Sequence, residues 1–432
     1  MFSRILLPVA FAALVAPAFA APLDPLDPLF ATENLWTMKQ NDFMAAARRL
    51  GYEWTSSARD SARAARGDLT LYGMPAVESV ARFDGGTLKE ITVTLYARGD
   101  SGDWTEAKFD ALVRSSADAI SKVAGVKFTA RGKDPASAVK ADGLLWQADK
   151  ARYLLEFSKT KEVRSRDIPF RAEFVRLGIT GPEKKLSLLA SATNLQRAKF
   201  NGLMHVKKDT ATGDVWIADV PMVDQGQKGY CVVATTERVM RYYGTAVDAN
   251  ELAQVANTET DGGTSTADML AALKKLGARL KVRVRDVQPG DTVTELLRLI
   301  ADYNRAAKRA GVAEIPDPGR MIDVGAVYRA MNGDVLKEVR TKNKSDLNRF
   351  QRQVQVHIDQ GVPLLWTVML GFTKEPGIPQ SAGGHMRLII GYNAKKEEIL
   401  FSDSWGAGNE LKRMPAADAW TMTTGALTIE PL

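Results

Sequence analysis

The chain has 432 residues, 45% apolar and 25% charged, with 58 basic against 51 acidic side chains and a formal net charge of +7. That balance is the one ordinary soluble globular proteins show, and the length suits two or three domains. The basic residues are scattered rather than gathered in a stripe, so no nucleic-acid partner is expected. One cysteine and three dispersed histidines exclude an internal disulfide and a structural zinc cluster, and no cofactor is expected.

The first twenty residues, MFSRILLPVAFAALVAPAFA, carry one basic side chain, Arg4, then an apolar run from Ile5 to about Val15. Ala18-Phe19-Ala20 follows, the small-residue pattern of a signal-peptide cleavage site, with cleavage expected after Ala20. Pro8 and Pro17 interrupt the run, which is short for a bilayer span. No other apolar stretch is long enough to cross a membrane. The mature protein is therefore expected to be secreted or periplasmic, with no transmembrane segment. A lone thiol in an oxidising compartment is a liability unless it is buried or used for chemistry.

Residues 21–195 read as an N-terminal α+β domain. APLDPLDPLF is Pro-rich and expected to be extended. ENLWTMKQNDFMAAARRLGY reads as a helix or helix pair. GMPAVESVARFDGGTLKEITVTLYARG reads as a hairpin turning at Asp84-Gly85-Gly86. The next helix places Phe109, Leu112, Ala117, Ile120 and Val123 near one face, with Asp103 and Glu106 at its start as capping candidates. Strands follow in GLLWQADKARYLLEFSKT and IPFRAEFVRLGIT. This segment holds no histidine, cysteine or phosphate loop. Two roles stay open for it: shielding the cleft as a pro-domain, or recognising a substrate or partner.

Past a connection with a short helix and a strand, PMVDQGQKGYCVVATTERVMRYYG contains the single cysteine, Cys231. Val233, Ala234, Val239, Met240 and Tyr243 recur at helical spacing and Gly244 closes the run. A loop that delivers a cysteine to the first turn of a helix suits a nucleophile, because unpaired N–H groups and the positive dipole end favour a thiolate. Gln225, six positions upstream, offers a side-chain amide to an oxyanion beside the cysteine's own N–H. DANELAQVAN and TSTADMLAALKKLG read as further helices, the second with Thr264 or Ser265 as cap candidates.

Residues 285–344 read as a helical insertion, led by TVTELLRLIADYNRAAKRAG with Arg298, Arg305, Lys308, Arg309 and Tyr303. It is either a solvated helical face or a flap over a cleft. SDLNRFQRQVQVHIDQG then reads as a helix and VPLLWTVML as a central strand, with Trp366 in the core.

A nucleophilic cysteine needs a base. His205 lies in a polar HVKKD stretch and His357 on an amphipathic helix, whereas His385 follows SAGGH and opens the apolar strand MRLIIGY. ILFSDSWG forms the partner strand, and a hairpin through Asn393, Ala394 and Lys395 returns Asp403 beside His385. An acidic residue there would hold the imidazole in one tautomer.

QGQKGYCVVATTERVMRYYG together with GGHMRLIIGYNAKKEEILFSDSWG resembles the papain-like cysteine peptidases, and most closely their C39-like branch. The resemblance covers the C-terminal half. It implies Cys231 as nucleophile, His385 as base, Asp403 as orienting residue and Gln225 as oxyanion donor. It also implies a papain-like two-lobe catalytic domain over residues 196–432, so the expected fold class is α+β with a separate small α+β domain in front. Two departures stand out: Asp403 where papain has Asn, and Ser404-Trp405-Gly406 where C39-like domains often carry Pro before Trp. The expected activity is hydrolysis of amide bonds in a peptide or protein. Two rival readings are a cell-wall amidase or acyltransferase acting on an envelope component, and a non-catalytic binding protein on the same scaffold.

Overall fold

The computed structural model describes residues 24–131, 141–160, 170–183, 200–226, 230–245, 249–256, short pieces of 270–277, 282–319, 322–378 and 382–432. The signal-peptide reading, and nearly all of the helix expected to start near Thr264, lie outside the described residues.

The alternation around Asp84-Gly85-Gly86 folds as read: Glu78–Asp84 and Thr87–Ala97 pair antiparallel, and both turn glycines take the positive φ the turn requires. These strands lie within an eight-stranded antiparallel sheet. Its spatial order is Glu53–Trp54, Ser61–Ala64, Glu78–Asp84, Thr87–Ala97, Arg171–Thr180, Arg152–Thr160, Asp142–Gln147, Thr129–Arg131. The helix Glu106–Ala124 packs on it through Phe109, Leu112, Ala117 and Ile120. Three details differ from expectation. Thr105 caps this helix, its hydroxyl accepting from the Lys108 N–H at 3.4 Å, while Asp103 is exposed and faces Arg98 at 3.8 Å. Val123, in the last turn of the helix, is 47% exposed. The Pro-rich start is not wholly extended: Asp27–Phe30 is one helical turn, with Pro inside its first turn where a missing N–H costs nothing.

A second eight-stranded antiparallel sheet fills the C-terminal half. Its main path runs Val206–Lys208, Asp214–Ile217, Gly383–Asn393, Leu364–Leu370, Thr423–Pro431, Val282–Gln288; Glu398–Ser402 pairs with Gly383–Asn393 and with Lys412–Pro415. The helices Cys231–Tyr242 and Lys344–Ile358 cover its long strand. Trp366 is fully buried, its indole N–H donating to Thr423 Oγ1 at 2.8 Å.

The segment read as an insertion from residue 285 opens inside this sheet, because Arg285 lies in the edge strand Val282–Gln288. Beyond it, Val293–Ala310, Val324–Ala330 and Gly333–Lys342 are helices with a small core of their own around Leu296, Ile300, Tyr303 and Tyr328. Thr292 and Glu295 form a reciprocal capping box. Tyr303 belongs to that core, its hydroxyl accepting from the Asn332 N–H at 2.7 Å, while Arg305 and Arg309 stay exposed and pair with Asp302 and Glu338.

Candidate active site

Cys231 is the first residue of its helix and is half-buried; the residues predicted to recur at helical spacing, Val233 to Tyr243, point into the core. Gly244 ends the run at φ +78°. The helix presents one polar line at i, i+4 and i+7: Cys231, Thr235 and Arg238. Thr235 Oγ1 donates to the Met386 carbonyl at 3.2 Å and lies 3.2 Å from Ser404 Oγ. Arg238 is buried; its guanidinium donates to the Pro221 carbonyl at 2.8 Å and to the hydroxyls of Ser402 and Ser404 at 2.5 and 3.3 Å. One helix face thus ties the cysteine's element to the strand that carries His385 and to both sides of Asp403. Burial pulls the Arg238 guanidinium down to about 10, against the opposing pull of Asp403 and Glu410, so it stays charged at neutral pH.

The predicted hairpin places His385 and Asp403 together. Gly383–Asn393 pairs with Glu398–Ser402, with Leu388 opposite Ser402, so the chain running on past Ser402 passes alongside His385. His385 Nε2 lies 2.7 Å from Asp403 Oδ1, and both side chains are fully shielded from solvent. A carboxylate can only accept, so Nε2 carries the proton. Nδ1 is buried, and among the described residues no partner meets it in ordinary hydrogen-bond geometry. The Cys231 sulfur is near enough to act on the ring. Burial disfavours the imidazolium, but Asp403 and Cys231 outweigh it, and the His385 pKa stands above its ordinary 6.5. Trp405 stacks on the imidazole with centroids 4.4 Å apart and planes 10° from parallel.

Gln225 is buried, and its backbone N–H donates to the Ser404 carbonyl at 2.8 Å, which binds its loop to the residue after Asp403. Its side-chain oxygen has no hydrogen-bond partner among the described residues. The other two histidines sit elsewhere in local contacts. His205 stacks on Phe200 and pairs with Asp219 at 3.1 Å, and His357 Nδ1 donates to the Gln353 carbonyl at 2.8 Å.

Arg387 went unread in the sequence. It lies two residues past His385, hence on the same strand face, and is fully buried. Its Nε stands 3.0 Å from Asp403 Oδ2, an ion contact without hydrogen-bond alignment, and its Nη1 donates to Glu375 at 3.1 Å. The guanidinium also lies over the Phe401 ring at 4.6 Å. Asp403 therefore divides its two oxygens between an imidazole and a guanidinium. The signal was present: an arginine inside an apolar run, in phase with the histidine.

Residues 292–427 match the Peptidase_C39 like family, a span that holds His385 and Asp403 and begins after Cys231. The C-terminal resemblance to C39-like, papain-like cysteine peptidases read from the sequence motifs therefore holds. Among solved structures, xylellain, a cysteine protease from Xylella fastidiosa, is similar over 52% of this chain and 90% of its own length, at 13% identity and a TM-score of 0.28. No curated protein matches the chain.

Proposed function

We propose that this chain is an exported cysteine peptidase acting through Cys231, His385 and Asp403, with Gln225 as oxyanion donor. The observation that carries the reading is the buried His385 ring: one nitrogen is committed to Asp403 at 2.7 Å, and the other, without an aligned partner, has the Cys231 sulfur as its neighbour. An imidazole held in this tautomer, beside a sulfur at a helix start, suits a thiolate–imidazolium pair.

The thiolate attacks an amide carbonyl, forming the S–C bond while the carbonyl oxygen takes the negative charge. The Cys231 N–H and the Gln225 amide stabilise that oxyanion. Its collapse breaks the C–N bond as His385 gives its proton to the departing amine. Water then attacks the thioester, His385 takes the water's proton, and the C–S bond breaks to release the acid and the thiolate. Trp405 covers the His385–Asp403 contact and keeps water from it. Against burial, Asp403 and Cys231 favour the imidazolium and raise the His385 pKa.

Cys231→Ala, with its fold checked by circular dichroism, is expected to lose both turnover of a casein substrate and labelling by iodoacetamide. Robust turnover in that variant would sink the assignment. Parallel assays on protein, peptidoglycan fragments and amine acceptors separate peptidase from cell-wall amidase and acyltransferase chemistry. The export reading rests on the first twenty residues and is tested by N-terminal sequencing of the mature protein.

A further inference from the structure

The N-terminal half reaches the loops that hold the candidate site through the strand residue Arg63, through Ser57 in the turn before that strand, and through Gly99 in the helical turn Arg98–Ser101. Arg63, on the strand Ser61–Ala64, places Nη1 3.3 Å from Asp224 Oδ2, beside Gln225 in sequence. Asp224 Oδ1 accepts from the Gly226 N–H at 2.9 Å, so this one carboxylate fixes both sides of Gln225. Gly226 is at φ +66°, and a Cβ there would come within 2.9 Å of Arg63 Nη2. Arg63 is held in turn by Glu78 Oε2 at 2.8 Å from Nε. Burial acts against its guanidinium, and Glu78 and Asp224 outweigh that.

The second point is the loop past Asp403. Glu410 Oε1 accepts from the Ser57 N–H at 2.6 Å and from its hydroxyl at 3.1 Å, while Oε2 accepts from the Gly408 N–H at 2.7 Å. The third is Tyr230, the residue before Cys231. It is buried, and a Cβ on Gly99 would run into its ring. Arg63 and Asp224 are 161 positions apart and Ser57 and Glu410 are 353 apart.

We infer that the N-terminal α+β half is a standing part of the active site, and that Arg63, acting through Asp224, is a positioning residue for the Gln225 loop. Neither role left open by the sequence describes this contact set. A shielding pro-domain would be displaced to gain activity, whereas here displacement removes a brace. The inference rests on the proposed roles of Cys231 and Gln225.

Two reactions of the full-length protein separate the steps. Alkylation by iodoacetamide needs the thiolate but no oxyanion site, and acylation by p-nitrophenyl acetate needs both. Arg63→Ala is expected to slow the acylation burst about tenfold, less than outright loss of an oxyanion donor, with alkylation within about twofold of wild type. Arg63→Lys should recover part of the loss, since it restores the charge without the fork. Adding Arg63→Ala to Gln225→Ala should cost little more than Gln225→Ala alone, because Arg63 acts through that one group. Asp224→Asn, nearly isosteric, reads the same link if Arg63→Ala fails to fold. Unchanged acylation in these variants overturns the brace, as does a parallel fall of both reactions. A wild-type protein inert to both reagents overturns the cysteine reading itself, and the brace with it.

Discussion

Both eight-stranded sheets bury charge inside their strands, and only the second carries it to the proposed catalytic residues. In the N-terminal sheet Arg176 lies between Glu156 and Glu251, and Glu173 lies between Arg171 and Arg98. In the C-terminal sheet His385 and Arg387 share Asp403, and Arg387 also meets Glu375. The first set keeps slight exposure, whereas His385, Arg387 and Asp403 are fully shielded. What also differs is the end of the chain of contacts. The first set closes on itself, each ion facing an opposite ion. The second stops at an imidazole nitrogen beside a half-buried sulfur at the start of a helix. Buried charge in a strand is thus an ordinary structural device, and a site arises where one polar atom is left for something that has yet to arrive.

The comparison breaks most sharply at His385. His385→Ala should lower turnover by at least about 10³-fold, while Glu173→Gln in the other sheet leaves it within about twofold; comparable losses would erase the distinction. Next comes Arg387→Met, which leaves a carboxylate buried without its cation. Chemical denaturation should show a loss of about 3–5 kcal/mol. Asp403→Asn follows. An amide offers one acceptor where His385 and Arg387 each need one, so turnover should fall about 10²-fold, with Arg387→Met in the same chain recovering part of it. That competition is also a physical reason for aspartate at a position where papain has asparagine.

The smallest effect is on pH and stability. Burial holds the Glu156, Glu173 and Glu237 carboxyls above their ordinary 4.5, and His385 stands above 6.5 through Asp403 and Cys231. A group whose folded pKa is raised binds its proton more tightly in the folded state. Its stabilisation is therefore full below the ordinary value and lost as pH rises through the folded one. Asp214, pulled below 3.8 by Arg413, works the other way and loses its contribution only in stronger acid. The melting temperature should be higher near about pH 5.5 than near about pH 8, by roughly 2 °C or more. A flat profile would mean the buried carboxyls titrate alike in folded and unfolded chains.

Much of the fold was legible where local signals agree. The Asp84-Gly85-Gly86 turn, the Cys231 helix with its closing Gly244, and the His385–Asp403 hairpin each follow from spacing and turn chemistry. The strand Val282–Gln288 escaped notice because its alternate residues are charged and it lies at a sheet edge, where no apolar run is needed. Arg238 and Arg387 escaped for the opposite reason: an arginine reads as surface, and only the fold supplies the hydroxyls and carboxylates that let it be buried. The contacts of Arg63 and Ser57 with the loops of the candidate site link distant positions, and no local pattern announces them.

The strand Thr423–Pro431 lies between Leu364–Leu370 and Val282–Gln288, inside the sheet and not at its rim. The second sheet therefore cannot close until the ribosome has made nearly every residue described here. Through synthesis, and through any passage across a membrane that follows, Cys231 travels without the finished sheet that seats its histidine. On the proposed reading, a peptidase built in this order completes its site last.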